Sequence, residues 1–229
     1  MKQFLLAALL LAACRREPAT RTAPPEPVEP PSTTRAVLPT IEGPKLAFVD
    51  EASADPALVA YRNELLAAVR RRDADAVVAL ADPNIRTSFG GSGGSDELRR
   101  MLGEPGMWDD LEQILTNGGT FLEGSDRTAF WAPYVYSAWP EEHDAFTRYA
   151  VIGDDVPLYD APDGKPVATL SRNIVERASE PSGTWTRIRT ADGRSGFVAT
   201  KLLRSPVGYR AGFNKDGERW RMTGLVAGD

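Results

Sequence analysis

Apolar residues between positions 55 and 116 recur at the spacing of helices. The clearest set is Leu58, Tyr61, Leu65 and Val69. It follows an Asp55-Pro56 pair, which is typical of a helix start, and it ends at three arginines that complement the negative end of a helix. Asp73 and Ser95 are predicted to open a second and a third helix, and a fourth is predicted over 107–115. This part of the chain is therefore predicted to be mostly helical.

Between positions 148 and 203 the pattern changes to short apolar runs separated by turn residues. The runs are Tyr149–Ile152, Val156–Tyr159, Val167–Leu170, Ile174-Val175, Trp185–Thr190 and Phe197-Val198. They are too short for helices, and Asp192-Gly193 supplies the positive φ angles of a tight hairpin. Five or six short strands with a turn every 8 to 12 residues or so favour a small closed barrel or a sandwich.

Three segments of this stretch resemble bacterial SH3 domains. Val156-Pro157-Leu158-Tyr159-Asp160-Ala161-Pro162 is similar to their first strand, although Asn or Arg is commoner at positions 157 and 159. Trp185–Ile188 and Gly193–Val198, followed by Lys201-Leu202, are similar to their later strands and closing turn. The resemblance implies an SH3-like β barrel that binds wall peptides, glycans or proteins. The predicted fold class is α+β: a helical α+β domain, then this barrel, then a β-hairpin.

The first fourteen residues indicate export and lipid attachment. Met1–Ala13 has a basic Lys2 and an apolar core too short to span a bilayer, as in a signal peptide. Leu11-Ala12-Ala13-Cys14 resembles the bacterial lipobox, in which the cysteine is acylated and becomes the new N-terminus. This resemblance implies a lipoprotein of the cell envelope. Arg15 in place of Asp after the cysteine points to the periplasmic side of the outer membrane in a double-membrane bacterium.

The remaining chain divides by composition. Residues 14–45 are rich in proline and are predicted to be a disordered tether. Residues 46–146 are predicted to form an α+β domain, and residues 147–205 the barrel. The start of the 46–146 segment, two helices and then a strand and a glycine turn, resembles small cone folds of the nuclear-transport-factor-2 type. The hairpin predicted within 206–229 is expected to pack on the 46–146 domain, with pairing to the barrel as the alternative.

Charge and residue counts exclude several functions. Residues 46–146 contain 8 basic and 18 acidic residues, which argues against nucleic acid and anionic lipid surfaces as partners. With one histidine, His143, and one cysteine, the chain lacks the ligands of a zinc hydrolase, so no metal or cofactor is expected. Carboxylate pairs such as Asp109 and Glu112 are the remaining glycosidase candidates, but acids are so abundant that such pairs arise by chance. A binding protein is predicted, not an enzyme.

Two local motifs leave alternatives open. Four glycines in Ser88–Gly94 suit either a flexible surface loop or a backbone nest for an anion, although no Gly-Lys-Ser/Thr follows as in a nucleotide loop. Phe130–Pro140 contains five aromatic residues, which suit either core packing or a platform on which sugar rings stack.

Tyr159 and Trp185 are the predicted ligand-binding residues. Side chains alternate along a strand, so Trp185 faces away from Ile188, and Tyr159 faces away from Val156. If the ligand is peptidoglycan, a wall peptide or an envelope protein, both aromatics are expected to lie exposed beside a groove. In the alternative, a structural or assembly lipoprotein, they are expected to be buried where the barrel packs against its own chain.

Overall fold

The computed structural model describes residues 38–91, 93–179 and 183–228. The predicted signal peptide, Cys14 and most of the predicted tether lie outside these residues. All the described residues belong to one compact unit. In these parts of the chain, no helix has both the length and the apolar composition needed to cross a membrane.

Five α-helices lie in the first part of this unit. They are α1 (Pro56–Arg70), α2 (Ala74–Leu80), α3 (Ser95–Leu102), α4 (Met107–Thr116) and the short α5 (Tyr134–Ser137). Asp55 caps α1 by accepting hydrogen bonds from the backbone N–H groups of Ala57 and Leu58. Asp73 caps α2 in the same way, through the N–H of Ala76. The polar residues that predicted these two helix starts therefore form the caps.

The helices cover one face of a five-stranded sheet with the order β1-β12-β11-β3-β2. Its strands are β1 (Ala81–Arg86), β2 (Thr120–Phe121), β3 (Ala129–Ala132), β11 (Arg210–Asp216) and β12 (Arg219–Val226). The C-terminal hairpin β11-β12 lies in the middle of this sheet, where β12 pairs in parallel with β1 and β11 pairs antiparallel with β3. The sequence predicts that this hairpin packs on residues 46–146. In the structure, the two strands that pair with it, β1 and β3, come from that segment.

A single apolar core joins these helices to the sheet. The strands contribute Phe130, Phe213, Trp220, Met222 and Leu225, and the helices contribute side chains such as Leu58, Leu65 and Leu111. The hydroxyl of Tyr61 connects three elements, because it donates to the Leu80 carbonyl (2.9 Å) and accepts from the Met222 N–H (2.8 Å). Burial raises the pKa of Tyr61, so this hydroxyl keeps its proton.

Residues 148–204 form a second sheet of seven strands, in the order β10-β4-β7-β8-β9-β5-β6. The strands are β4 (Arg148–Val151), β5 (Val156–Tyr159), β6 (Pro166–Leu170), β7 (Ile174–Arg177), β8 (Trp185–Arg189), β9 (Ser195–Ala199) and β10 (Leu203–Arg204). In the described residues β6 and β10 are the two edges and do not pair with each other, so the sheet is open. The prediction of an α+β domain followed by a small SH3-like barrel is therefore wrong. The fold is mixed and rich in sheet, with two large sheets and few helices.

The edge of β6 is occupied by residues that precede the helices. The N–H of Ile41 donates to the Thr169 carbonyl (2.8 Å), and the N–H of Thr169 donates to the Pro39 carbonyl (2.9 Å). These bonds use edge groups that a closed barrel would need for pairing β6 with β10. The Ile41 side chain is 2% exposed and belongs to the core of the second sheet.

The predicted tether therefore ends earlier than expected. Disorder was predicted as far as Lys45 from the proline content, but the structure places residues 39–45 along the second sheet, where Lys45 forms a bridge with Asn173. Proline lacks an N–H but keeps its carbonyl, and the carbonyls of Pro39 and Pro44 both accept hydrogen bonds from the sheet. The residues that donate to these two carbonyls lie about 130 residues later in the chain. The composition of the segment therefore does not reveal them.

A small apolar cluster joins the second sheet to the first part of the unit. Its buried members are Leu46, Tyr134, Val135, Ala150 and Ile174. The first three come from the segment that carries the helices, and the last two from β4 and β7. This shared cluster holds the second sheet against the first part of the unit and helps to position the cleft described next.

Candidate functional site

A cleft of about 1000 Å³ lies between α4 and one side of the second sheet. The first turns of α4 contribute Asp109, Asp110 and Gln113. The second sheet contributes Trp185 and Arg204, and Lys201 lies in the short turn between β9 and β10. Tyr209 and the connection from Ser205 to Gly208 complete the wall. A cleft of this size, with an aromatic side chain and several polar groups, is suited to binding a small molecule or a short polymer segment.

Arg204 is the buried polar group of this cleft. Its side chain is 5% exposed, and its Nη1 atom lies 3.2 Å from Gln113 Oε1 and 3.4 Å from Asp110 Oδ1. Nη2 donates to the Tyr209 carbonyl at 2.5 Å. Burial lowers the pKa of the guanidinium, and the charge of Asp110 opposes this effect. Because Arg204 belongs to β10 whereas Asp110 and Gln113 belong to α4, this network links the two walls of the cleft.

Trp185 lies at the start of β8 and lines the cleft. Along β8 the side chains of Thr186 and Ile188 are buried, whereas Arg187 and Arg189 are exposed and Trp185 is half-buried. This alternation agrees with the reasoning that put Trp185 on the face opposite Ile188. The Trp185 ring packs edge-on against Tyr159, with 4.9 Å between the ring centroids and an angle of 72° between the planes.

The structure thus brings the two predicted residues together, but it gives them different surroundings. Tyr159 is half-buried, and it is not one of the residues that line the cleft. It supports the Trp185 ring from the neighbouring β5 strand. Both side chains are half-buried, so the pair lies between the exposed and the buried arrangement expected above.

Phe197 and Arg187 extend the aromatic pair across the sheet. Phe197 on β9 pairs with Tyr159 of β5 on one side and with Arg187 of β8 on the other. Sequence reasoning missed both residues as partners of the site. Strand alternation in Ser195–Ala199 would have placed Phe197 outward, because Gly196 and Val198 are buried. By contrast, no local signal identified Asp110, Gln113, Arg204 or Tyr209.

The other sequence candidates lie in ordinary surface structure. Asp109 lines the cleft and is 3.7 Å from Arg72, while Glu112 accepts a hydrogen bond from Arg70 at 2.8 Å. The two acids are therefore each paired with the arginine run at the end of α1. His143 lies in a turn after Pro140, and its carbonyl accepts from the Trp139 indole N–H. Among the described residues no group of three or more His, Cys, Asp or Glu is placed to hold a metal ion.

Solved structures that are similar to this chain share 11 to 13% identity with it. A structure titled Rd1NTF2_05, a variant, is 13% identical, covers 74% of this chain and 95% of its own, and has a TM-score of 0.29. A putative calcium/calmodulin-dependent protein kinase II association domain from Xanthomonas campestris is 11% identical, covers 80% and 96%, and has a TM-score of 0.30. An NTF2-like protein of unknown function from Pseudomonas putida KT2440 is 11% identical, covers 79% and 89%, and has a TM-score of 0.26.

No family model matches the chain, and no curated protein matches it. The expected membership of the bacterial SH3 family is wrong, because no family model matches the chain and the second sheet is open in the described residues. The short motifs that suggested that family, such as Asp192-Gly193 before an apolar pair, are features of many antiparallel hairpins and do not fix how a sheet closes. The architecture described above rests on the strand pairing of this chain.

Proposed function

We propose that the chain is a lipid-anchored binding protein of the bacterial cell envelope, and that the cleft beside Trp185 binds peptidoglycan. Cys14 carries the anchor, and in a double-membrane bacterium the folded unit faces the periplasm. The protein acts by binding and not by catalysis. The observation that carries this proposal is the position of Trp185, half-buried on the wall of the cleft and supported by Tyr159.

The composition of the cleft supports a wall ligand. Peptidoglycan combines sugar rings, which stack on flat aromatic side chains, with short peptides that carry amides and charges. The cleft offers the Trp185 ring, the amide of Gln113, and charges of both signs on Asp109, Asp110 and Lys201. A ligand that used only charge would not need the tryptophan, and an apolar ligand would not need the charged groups.

Sedimentation with purified peptidoglycan tests the proposal, using a soluble chain that starts at Arg15. The wild type is expected to pellet with the wall material. Trp185→Ala is expected to weaken binding at least ten-fold, as for a central aromatic contact worth about 1.4 kcal/mol or more. Tyr159→Ala should have a smaller effect, because Tyr159 acts through the Trp185 ring. Phe146→Ala, which alters an exposed aromatic outside the cleft, is the control.

Wild-type protein that stays entirely in the supernatant would contradict the wall ligand. It would favour the second candidate, a structural or assembly lipoprotein in which the second sheet serves intrachain packing. The observation in favour of that candidate is the buried cluster of Leu46, Tyr134, Val135, Ala150 and Ile174, in which the second sheet packs on the first part of the chain. If an envelope protein retains the wild-type chain and Trp185→Ala abolishes this retention, the ligand of the cleft is that protein and not peptidoglycan.

The anchor has its own test. Cys14→Ser removes the thiol that would be acylated, and each buried CH₂ of an acyl chain contributes about 0.8 kcal/mol to membrane attachment. The variant is expected in the soluble fraction of the cell, while the wild type is expected in the membrane fraction. A Cys14→Ser variant that remains in the membrane would show that the attachment has another cause.

A further inference from the structure

Arg210 is a buried cation for which the described part of the chain supplies no acidic partner. It is 4% exposed, at the start of β11. Its Nη1 atom donates to the Gly228 carbonyl at 2.6 Å, and its buried Nε–H has no hydrogen-bond partner. Among the described residues no carboxylate lies within ion-pair distance of it. Burying an unpaired charge is costly, so a group that supplies negative charge at this point would be bound favourably.

Aromatic rings take the place of a counter-ion. The Arg210 guanidinium lies 4.4 Å from the centroid of the Tyr136 ring and 5.1 Å from that of Phe89. Tyr136 in turn packs edge-on against Trp131 at 5.4 Å. Each of these two residues stands beside a core residue in its strand. Ala211 follows Arg210, Phe130 precedes Trp131, and both Ala211 and Phe130 point into the core. Arg210 and Trp131 are therefore on the face of the first sheet opposite the apolar core, where Tyr136 of α5 packs against both.

Phe89 connects Arg210 to a second cavity. Phe89 is 48% exposed and lines a cavity of about 330 Å³ together with Arg86, Thr87, Ser88 and several glycines of the following loop. The described residues that line this cavity include no acidic one. Arg86 is exposed, and the structure shows no ion pair for it in the described parts of the chain. This positive spot lies in the segment 46–146, which has 8 basic and 18 acidic residues.

We propose that Arg86 and Arg210 form a binding site for an oxyanion, a phosphate or carboxylate group on a small organic molecule. Arg86 contacts the anion at the mouth of the cavity. The Phe89 side chain rotates away from Arg210, and the unpartnered Nε–H of Arg210 then donates to an oxygen of the ligand. Guanidinium groups match the geometry of both anions, and a hydrogen bond to a charged group is stronger than one to a neutral group. This site is separate from the cleft beside Trp185.

Isothermal titration calorimetry at low salt tests the site with three probes of similar size. Glucose 6-phosphate and glucuronate carry the two candidate anions, and glucose is the neutral control. At least one anionic probe is expected to bind the wild type, and glucose is not. The stronger of the two identifies the preferred anion. Binding of neither anion, or equal heat from glucose, would overturn the proposal.

Variants separate the site from general electrostatic attraction. Arg210→Gln and Arg86→Gln are each expected to weaken binding at least ten-fold. Phe89→Ala is expected to tighten it about five-fold, which corresponds to removing a competing cation–π contact of about 1 kcal/mol. Arg219→Gln removes an exposed arginine of β12 and should change nothing.

Arg86 is exposed, so its replacement is expected to leave folding unaffected, and circular dichroism verifies folding for Arg210→Gln. Unchanged affinity in folded Arg86→Gln and Arg210→Gln would overturn the proposal. So would a loss in Arg219→Gln equal to theirs.

Discussion

Replacing Ile41 with alanine tests whether the chain before the helices belongs to the fold. Ile41 lies in a segment whose composition predicts a disordered tether, yet its side chain is 2% exposed in the core of the second sheet. Its N–H donates to the Thr169 carbonyl at 2.8 Å. If this arrangement holds in solution, Ile41→Ala leaves a cavity under the sheet. If the segment is detached, the same substitution costs almost nothing.

The expected loss follows from the atoms removed. Ile→Ala deletes three carbon atoms, and at about 0.8 kcal/mol for each buried carbon the transfer contribution is about 2.4 kcal/mol. A cavity that relaxes only in part adds to this, so the unfolding free energy should fall by about 3 kcal/mol. For a folded unit of this size, that loss lowers the melting temperature by roughly 6 to 12 °C.

Urea unfolding followed by tryptophan fluorescence measures the effect in a chain that starts at Arg15. Glu42→Ala is the matched control, because Glu42 is the next residue and its side chain is exposed. We expect a change below about 0.5 kcal/mol for the control, as for most surface substitutions. A loss in Ile41→Ala no larger than that of Glu42→Ala would refute the packing of residues 39–45 on the sheet.

Three further predictions concern the first sheet and its helices. Tyr61→Phe leaves the buried Met222 N–H and the Leu80 carbonyl without their partner, and should lower the unfolding free energy by about 2 kcal/mol in urea titrations; no loss would mean that water replaces the hydroxyl. Gly119→Ala would place a Cβ atom 2.2 Å from the Trp131 carbonyl oxygen, so thermal melts should show that the unfolding free energy falls by about 3 kcal/mol. Gly90→Ala is the control and should have no effect, because a Cβ atom at Gly90 lies in open space.

The third of these concerns pH. The hydrogen bond from Lys215 lowers the pKa of Asp55 despite the opposing effect of burial. A carboxyl whose pKa is lower in the folded state adds stability above its unfolded pKa of about 3.9, and this is lost as the pH falls through the folded value. Wild-type stability should therefore fall more steeply than that of Asp55→Asn below about pH 4, and parallel curves would contradict this.

The sequence by itself determined the local elements of this protein. Helix caps at Asp55 and Asp73, the periodic apolar positions of α1, and the turn at Gly217 in the C-terminal hairpin depend on neighbours a few residues apart. For the same reason, strand alternation placed Trp185 on the face opposite Ile188. These features follow from backbone geometry and short-range hydrogen bonds, which a linear sequence displays directly.

Only the tertiary structure decided how the strands close and what their surfaces meet. Whether β6 pairs with β10 depends on Pro39 and Ile41, which reach that edge from about 130 residues earlier in the chain. The cleft combines Asp110 of α4 with Arg204 of β10, and the cation site combines Phe89 with Arg210. Each of these contacts joins residues separated by most of a domain. Their pairing is set by the packing of whole sheets, because no local pattern encodes which distant edge a strand will find.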